Sequence, residues 1–129
     1  MKKLQNLTIR STFRTPEINL DAKNGILSFS GKCIPENPVP FFAPINDWIS
    51  LFLQNPTEKI VFDFAIEYIN TSSLMYLHGI LRDFQDRLSQ AAEIIINWYY
   101  EADDEDGLET GRTLTSMIKL PVNFAITSF

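Results

Sequence analysis

A chain of 129 residues is long enough for one domain with its own core and too short for two ordinary ones. Apolar residues make up 45% of it and aromatic residues 12%, so a core can form without disulfides or a structural metal. The formal net charge of −5 disfavours a nucleic-acid partner, and the apolar runs are far shorter than the roughly 18 residues that a membrane span needs. The single cysteine, Cys33, cannot form an intrachain disulfide, and no apolar signal segment follows the basic start, so we expect a cytoplasmic protein.

The N-terminal third is typical of a β-meander. Strands are predicted over Leu4–Phe13, Glu17–Leu20 and Ile26–Ser30. Asn24-Gly25 between the last two is a strong hairpin signal, because both residues accept the positive φ of a tight turn.

Two amphipathic helices and two strands are predicted next. A proline-rich segment leads into a first helix that stops at Asn55-Pro56, and Lys59–Tyr68 alternates as a strand. A second helix follows the turn Asn70-Thr71-Ser72-Ser73, and the almost unbroken apolar run Ala92–Tyr100 predicts an interior strand covered on both faces. The apolar stripes of the two helices are Phe41, Ile45, Trp48 and Phe52, then Leu74, Leu77, Leu81, Phe84 and Leu88.

The chain ends with a third helix, from the acidic cluster at residues 101–106 to about Ile118, and a last strand over Val122–Phe129. The order β-β-β-α-β-α-β-α-β predicts an α/β domain spanning residues 1–129. It should contain one mixed sheet of about six strands with three helices packed on it, because helices of crossover length join parallel neighbours. This layout resembles the anti-sigma-factor-antagonist (STAS) type of domain, but the pattern does not determine the strand order.

A catalytic centre is hard to find in the sequence. His78 is the single histidine and lies beside an apolar helix stripe, where a packed structural role is the expected one. No second histidine or cysteine lies at metal-ligand spacing, and Cys33 is expected to be buried and inert. We therefore predict no catalytic residue, no metal and no cofactor.

The acidic cluster that includes Asp103, Asp104 and Asp106 has three possible roles. Carboxylates at the start of a helix stabilise its first turn, and the same group could face a protein partner. A cation site is the third possibility, although the spacing does not match a calcium loop.

The most informative segment is the strand-to-helix turn Asn70-Thr71-Ser72-Ser73. These residue types cap helices, because their side chains accept hydrogen bonds from the unpaired N–H groups of the first turn. The same N–H groups bind phosphate well, and the turn follows the carboxyl end of a strand, where α/β folds usually place their sites. Capping does not exclude phosphorylation, and the sequence pattern alone does not establish that this turn is phosphorylated.

The chain resembles the SiaC family of regulatory phosphoproteins of bacteria. The most specific matching stretches are Glu67–Ser73 and Asn97–Glu101. Others lie in order along nearly the whole chain: Thr15–Ile18, Pro35–Asn37, Phe42–Trp48, Asp103–Asp106 with Glu109 and Gly111, and Leu120-Pro121. Two departures are Ile69, where the family pattern has Phe, and the basic start Met1–Arg14.

The resemblance implies a non-enzymatic partner-switching protein. A cognate kinase would phosphorylate Thr71 and a PP2C-type phosphatase would remove the phosphate, while the unmodified form would bind and activate a diguanylate cyclase that promotes biofilm growth. Because a kinase must reach Thr71, we expect Tyr68, Asn70, Ser72 and Ser73 to contact partners, with the acidic cluster as a further contact.

The main alternative is a module that binds a small ligand or anion at the same helix start without covalent modification. A metal-dependent enzyme that uses the acidic cluster is a third possibility.

Overall fold

The structure is a computed structural model that describes residues 3–129 and contains one mixed sheet of six strands with three helices, as predicted. The strands lie side by side in chain order, which the sequence pattern left open. The first three are antiparallel, and the third to the sixth are parallel to one another. The elements are β1 Leu7–Ile9, β2 Glu17–Asp21, β3 Ile26–Cys33, α1 Pro38–Gln54, β4 Lys59–Ile69, α2 Thr71–Leu88, β5 Glu93–Tyr100, α3 Glu105–Thr115 and β6 Val122–Ile126.

The core lies between the sheet and one layer of helices. Helix α1 packs against α2 and α2 against α3, so the three crossovers lie on the same face. Alternate strand residues point into this layer, and the aromatic ones pack there: the ring centroids of Phe62 and Phe84 are 4.9 Å apart, and those of Phe29 and Phe64 are 5.2 Å apart.

The second face of the sheet carries no helix within residues 3–129, so the prediction that Ala92–Tyr100 is covered on both faces is wrong. Its apolar run is buried on the helix side only, and Asn97 lies half-exposed on the other side. The Asn97 amide donates to Asp63 at 2.9 Å and accepts from Asn123 at 3.1 Å, a polar ladder across three strands. Partial burial, with the nearby Asp63 carboxylate, raises the pKa of Tyr99 on the same face.

The first and last strands are shorter than predicted. β1 spans three residues instead of Leu4–Phe13, because the chain turns at Thr12, whose hydroxyl accepts hydrogen bonds from the N–H groups of Arg14 and Thr15. β6 ends at Ile126 instead of Phe129, since its partner β5 ends at Tyr100 and offers no further backbone to pair with.

Two local predictions also need correction. Asn24 does not adopt positive φ; only Gly25 does, in a longer turn in which the Asp21 carboxylate accepts from the N–H groups of Lys23 and Asn24. The hydrogen bonds from Asn24 are the main reason that the pKa of Asp21 is lowered. Helix α3 spans Glu105–Thr115 and so ends before Ile118: the N–H of Ser116 donates to the carbonyl of Thr113, three residues back, and the four-residue ladder of the helix stops there.

Among the helices of residues 3–129, none combines the length and the apolar character that crossing a membrane requires.

Two helical glycines should respond oppositely to an added methyl group. In Gly111→Ala the new Cβ would lie 2.6 Å from three indole atoms of Trp98, which is buried and hydrogen-bonded through Nε1 to the carbonyl oxygen of Gly107 at 2.9 Å. We expect a loss of about 1–3 kcal/mol in the free energy of unfolding, because the core would be overpacked. In Gly79→Ala the Cβ meets nothing within 4 Å, so we expect a gain of up to about 1 kcal/mol from helix propensity.

Urea denaturation of the two variants beside the wild-type protein measures both effects. Equal stability of Gly111→Ala and Gly79→Ala would contradict the close packing of α3 on Trp98.

Candidate functional site

Three helix N-termini meet at the carboxyl edge of the sheet. β3, β4 and β5 are parallel, so their last residues, Cys33, Ile69 and Tyr100, lie along the same edge. Each of these strands leads into one of the three helices. This edge is where sheets of this kind place their functional residues.

The acidic side chains at this edge are unevenly distributed among the three helices. The first turns of α1 and α2 contain no acidic residue, whereas that of α3 contains Glu105 and Asp106 and its N-cap is Asp104. A helix N-terminus carries a partial positive charge that carboxylates offset. The N-terminus of α2 therefore keeps its affinity for an added anion, and that of α3 is already neutralised.

Asn70 fixes the start of α2 through three polar groups. Its side-chain oxygen accepts from the N–H of Ser73 at 3.0 Å, which makes it the N-cap. Its backbone N–H donates to the carbonyl of Cys33 at 3.1 Å, and its side-chain nitrogen donates to the carbonyl of Pro35 at 3.4 Å. Asn70 is half-buried and thus joins the end of β3, the start of the α1 segment and the first turn of α2.

Thr71 and Ser72 are exposed as the first two residues of α2. Their N–H groups belong to the set of first-turn donors that have no partner within a helix. Both hydroxyls can therefore be approached from outside, next to backbone donors that favour an anion.

Ser73 differs from its predicted role. Its surface is 0% exposed, so its side chain cannot contact a partner in this conformation, although we expected it to. It occupies the third helical position, and the hydroxyl makes no hydrogen bond of regular geometry within the described residues. An amphipathic helix turns part of each turn towards the core, and in the first turn of α2 the residue on that side is Ser73.

The neighbour of Ser73 is the thiol of Cys33. Burial raises the pKa of Cys33 to about 11, and the Ser73 hydroxyl opposes part of that rise. The thiol therefore stays protonated near neutral pH, and the prediction that Cys33 is buried is confirmed.

A β-bulge turns Tyr68 outwards. Gly31 pairs with Ile66 but the next residue, Lys32, pairs with Tyr68, so Glu67 is an extra residue in β4. The strict alternation of β4 would point Tyr68 into the core after Ile66; instead Tyr68 is 64% exposed. Gly31 opposite the bulge has φ of +106°, a conformation that other residues rarely adopt.

The acidic cluster lies beside this bulge. The Asp104 carboxylate accepts from the N–H of Gly107 at 2.9 Å and so caps helix α3. Of the three roles predicted for the cluster, capping is therefore confirmed for Asp104. Asp103 and Asp106 are exposed. No group of three or more His, Cys, Asp or Glu residues in the described part of the chain is arranged to hold a metal ion.

One shallow cleft of about 280 Å³ brings the two predicted partner-binding segments together. Tyr68 lines it from the end of β4, and Asp104 and Asp106 line it from α3, with Trp98 between them. Asn70, Ser72 and Asp103 do not line this cleft. Glu67 and Thr110 do, although neither was predicted to contact a partner. The signal for Glu67 was its position at the start of the family-matching stretch Glu67–Ser73.

Known proteins match the chain over most of its length. A family model described as the SiaC family regulatory phosphoprotein matches residues 9–127. An uncharacterised protein of Pseudomonas aeruginosa strain UCBPP-PA14 is 29% identical over 102 residues, which cover 79% of this chain and 81% of that protein.

Solved structures of SiaC from Pseudomonas aeruginosa share the fold. One structure shows SiaC in complex with the diguanylate cyclase SiaD, which it activates. This SiaC superposes on the present chain with a TM-score of 0.87 at 26% identity, and the match covers 94% of this chain and 99% of that chain. Apo-SiaC superposes with a TM-score of 0.82 at 28% identity and covers 96% and 99%. The family model spans nearly the whole sequence, and so the chain belongs to the SiaC family of regulatory phosphoproteins.

Proposed function

We propose that this protein is a non-enzymatic cytoplasmic switch whose phosphorylation site is Thr71. A cognate kinase adds the phosphate, a PP2C-type phosphatase removes it, and the unmodified form binds and activates a diguanylate cyclase. The observation that supports this proposal best is an exposed hydroxyl on the first residue of a helix whose first turn contains no acidic side chain.

The local environment of Thr71 is compatible with a phosphate. Phosphorylation adds about −1.5 to −2 charges, and the partial positive charge of the helix N-terminus stabilises such an anion by about 0.3–1 kcal/mol at an exposed site. Asn70 already satisfies the N–H of Ser73 and ties the turn to β3, so the helix start does not depend on the Thr71 hydroxyl. The fold should therefore survive modification.

A bound partner experiences the phosphate differently. Leaving an unpaired charge buried at an interface costs about 2–5 kcal/mol, which corresponds to a loss of affinity of about thirtyfold to several thousandfold. A single modification can thus release a partner that covers Thr71 without unfolding the protein.

The class of target comes from the relative of known structure. SiaC of Pseudomonas aeruginosa forms a complex with the diguanylate cyclase SiaD. The present chain covers 99% of that SiaC chain, so all the elements available to contact a cyclase have counterparts here. We therefore propose that the target is a diguanylate cyclase encoded by the bacterium from which the present protein comes.

Removing the Thr71 hydroxyl should abolish phosphorylation. We expect wild-type protein recovered from its native host to carry one phosphate, which peptide mass spectrometry places on Thr71, and Thr71→Val protein to carry none. Ser72→Ala is the matched control, because Ser72 is exposed on the same turn and should be dispensable.

Phosphate retained in Thr71→Val and lost in Ser72→Ala would move the site by one residue. A wild-type protein that never carries phosphate in the host, but binds inorganic phosphate at this helix start, would instead favour the anion-binding alternative.

A permanent negative charge at Thr71 should separate binding from stability. In Thr71→Asp we expect the affinity for the cyclase to fall by about thirtyfold or more, while Tm stays within a few degrees of the wild-type value. The reason is that the helix N-terminus accepts the carboxylate and a docked partner does not. Titration calorimetry measures the affinity and thermal denaturation measures Tm. The control is Thr113→Asp, which adds the same charge at an exposed position of α3. Cyclase binding at full strength by Thr71→Asp would contradict the proposal.

We also propose that the exposed carboxylates Asp103 and Asp106 contact a basic surface of a partner. Neutralising both with Asn should lower the rate of partner association and its dependence on salt, because exposed charges mainly steer encounter. Asp104 is left in place, since its carboxylate caps α3. The matched control is Asp86→Asn with Glu93→Gln, which removes two acids at the opposite edge of the sheet. Stopped-flow association that is equally fast and equally salt-sensitive in both double variants would leave the cluster with a capping role alone.

A further inference from the structure

The last strand of the sheet, β6, has an open outer edge. Within residues 3–129, β5 is the only strand that pairs with β6. The carbonyl of Pro121 accepts from β5 at 2.9 Å, and the N–H of Thr127 donates to β5 at 2.8 Å. Every second residue of a strand bonds to a given neighbour, so the residues between these two alternate in direction. The backbone N–H and carbonyl groups of Val122, Phe124 and Ile126 therefore point away from the sheet, and we call this row the β6 edge.

The two outer edges of the sheet differ in their protection. Natural sheets protect exposed edges with short strands, prolines and charged side chains. At the other end of the sheet, β1 has three residues and is followed directly by Arg10. β6 has five residues, and no side chain from 120 to 129 is charged. Pro121 precedes β6, but its backbone faces β5, so its missing N–H does not block the β6 edge.

Exposed apolar side chains surround the β6 edge. Phe124 and Ile126 lie on the helix side of the sheet, where most strand residues are buried, yet they are 38% and 64% exposed. Met117, in the turn between α3 and β6, and Phe129 are exposed as well. The N–H of Phe129 donates to the Glu101 carboxylate at 3.1 Å, so the final residues lean towards the end of β5. They leave the β6 edge uncovered.

We propose that the β6 edge pairs with the β6 edge of a second copy of this chain in an antiparallel, twofold-symmetric dimer. When the twofold axis passes beside Phe124, each Phe124 faces its counterpart, and Val122 faces Ile126 of the second copy. These are the residues with free backbone groups, so every outward N–H and carbonyl of the strand gains a partner. The side chains also match, because the pairs on the helix side are apolar and Asn123 faces Ala125 on the other side.

The charge of the chain favours a second copy at this place. With a net charge of −5, two copies repel each other over most of their surfaces. The β6 edge carries no charged side chain, so backbone pairing and apolar contact determine what it binds. A strand that matches itself residue by residue provides both. Because the pairing uses the open edge of each copy and the β1 edge is protected, the assembly closes at two copies.

The dimer leaves the start of α2 free. Thr71 follows β4, which lies two strands away from β6. Since the paired β6 strands run in opposite directions, the carboxyl edges of the two sheets point in opposite directions, and the two Thr71 residues lie at opposite ends of the dimer. A partner that binds one Thr71 therefore need not displace the second copy. The inference does not depend on the proposed function, because self-association is a property of the purified chain alone.

Sedimentation of the purified full chain tests the proposal. From about 1 μM to about 1 mM, we expect the mass to rise from 14.8 kDa towards twice that value. Ile126→Lys places a charge among the apolar pairs, as natural protected edges do, and should weaken association at least about tenfold. The matched control is Thr8→Lys, which adds the same side chain at an exposed position of the other edge strand and should associate like the wild-type protein. Thermal denaturation checks that both variants are folded.

Cysteine substitution tests the direction and the register of the pairing. The two Phe124 residues face each other with Cα atoms about 5.5 Å apart, which a disulfide can span. We therefore expect the thiol oxidant diamide to link Phe124→Cys into a covalent dimer. Asn123→Cys is equally exposed but is offset from its counterpart by two residues, so it should link at least about tenfold more slowly. Cys33 is buried in both variants.

A mass of 14.8 kDa at every concentration would overturn the proposal. So would a wild-type dimer that Ile126→Lys leaves unchanged, since the contact would then lie elsewhere. Faster linking of Asn123→Cys than of Phe124→Cys would contradict the twofold pairing around Phe124.

Discussion

The hydrogen bonds of Asn70 are the interaction on which the site depends. They join the end of β3, the segment before α1 and the first turn of α2, so that Thr71 leaves the sheet at a defined place and in a defined direction. A buried or half-buried polar side chain with all its partners in place orients a backbone more sharply than apolar packing does. The exposed hydroxyl of Thr71 and the buried hydroxyl of Ser73 follow from the same cap, since a helix that begins at Thr71 turns its third residue inwards.

Charge distribution adds a second condition to that geometry. Three helix N-termini lie at one edge, and the acidic side chains are concentrated on the third. An anion added at α2 meets unneutralised N–H groups, whereas one added at α3 would meet Glu105 and Asp106. The difference makes Thr71 a better acceptor for a phosphate than any hydroxyl placed at the start of α3 would be. It also confines the electrostatic effect of modification to the surface, so the sheet and core need not rearrange.

Periodicity predicted the number, type and order of the elements because each strand and helix carries its own apolar repeat. It could not predict what depends on neighbours. The apolar run in β5 fits a strand buried on two faces, yet sequential strand order places all crossovers on one side and leaves Asn97 and Tyr99 on the other. At the site, the cap at Asn70 followed from residue type, while the outward direction of Tyr68 depends on a bulge opposite Gly31. Such a shift of register is a property of two paired strands, and neither strand shows it alone.

Surface features that cost stability are informative because the fold does not require them. The core would be unchanged by alanine at Gly79 or by charged residues on the outer side of α1, and both changes would favour the isolated protein. Single features that weaken a helix or expose apolar surface persist through mutation–selection balance without any function, so it is their alignment on one helix face that is informative. Gly79 and Met75 follow Thr71 along one line of α2 at intervals of one helical turn, so this costly surface begins at the proposed phosphorylation site.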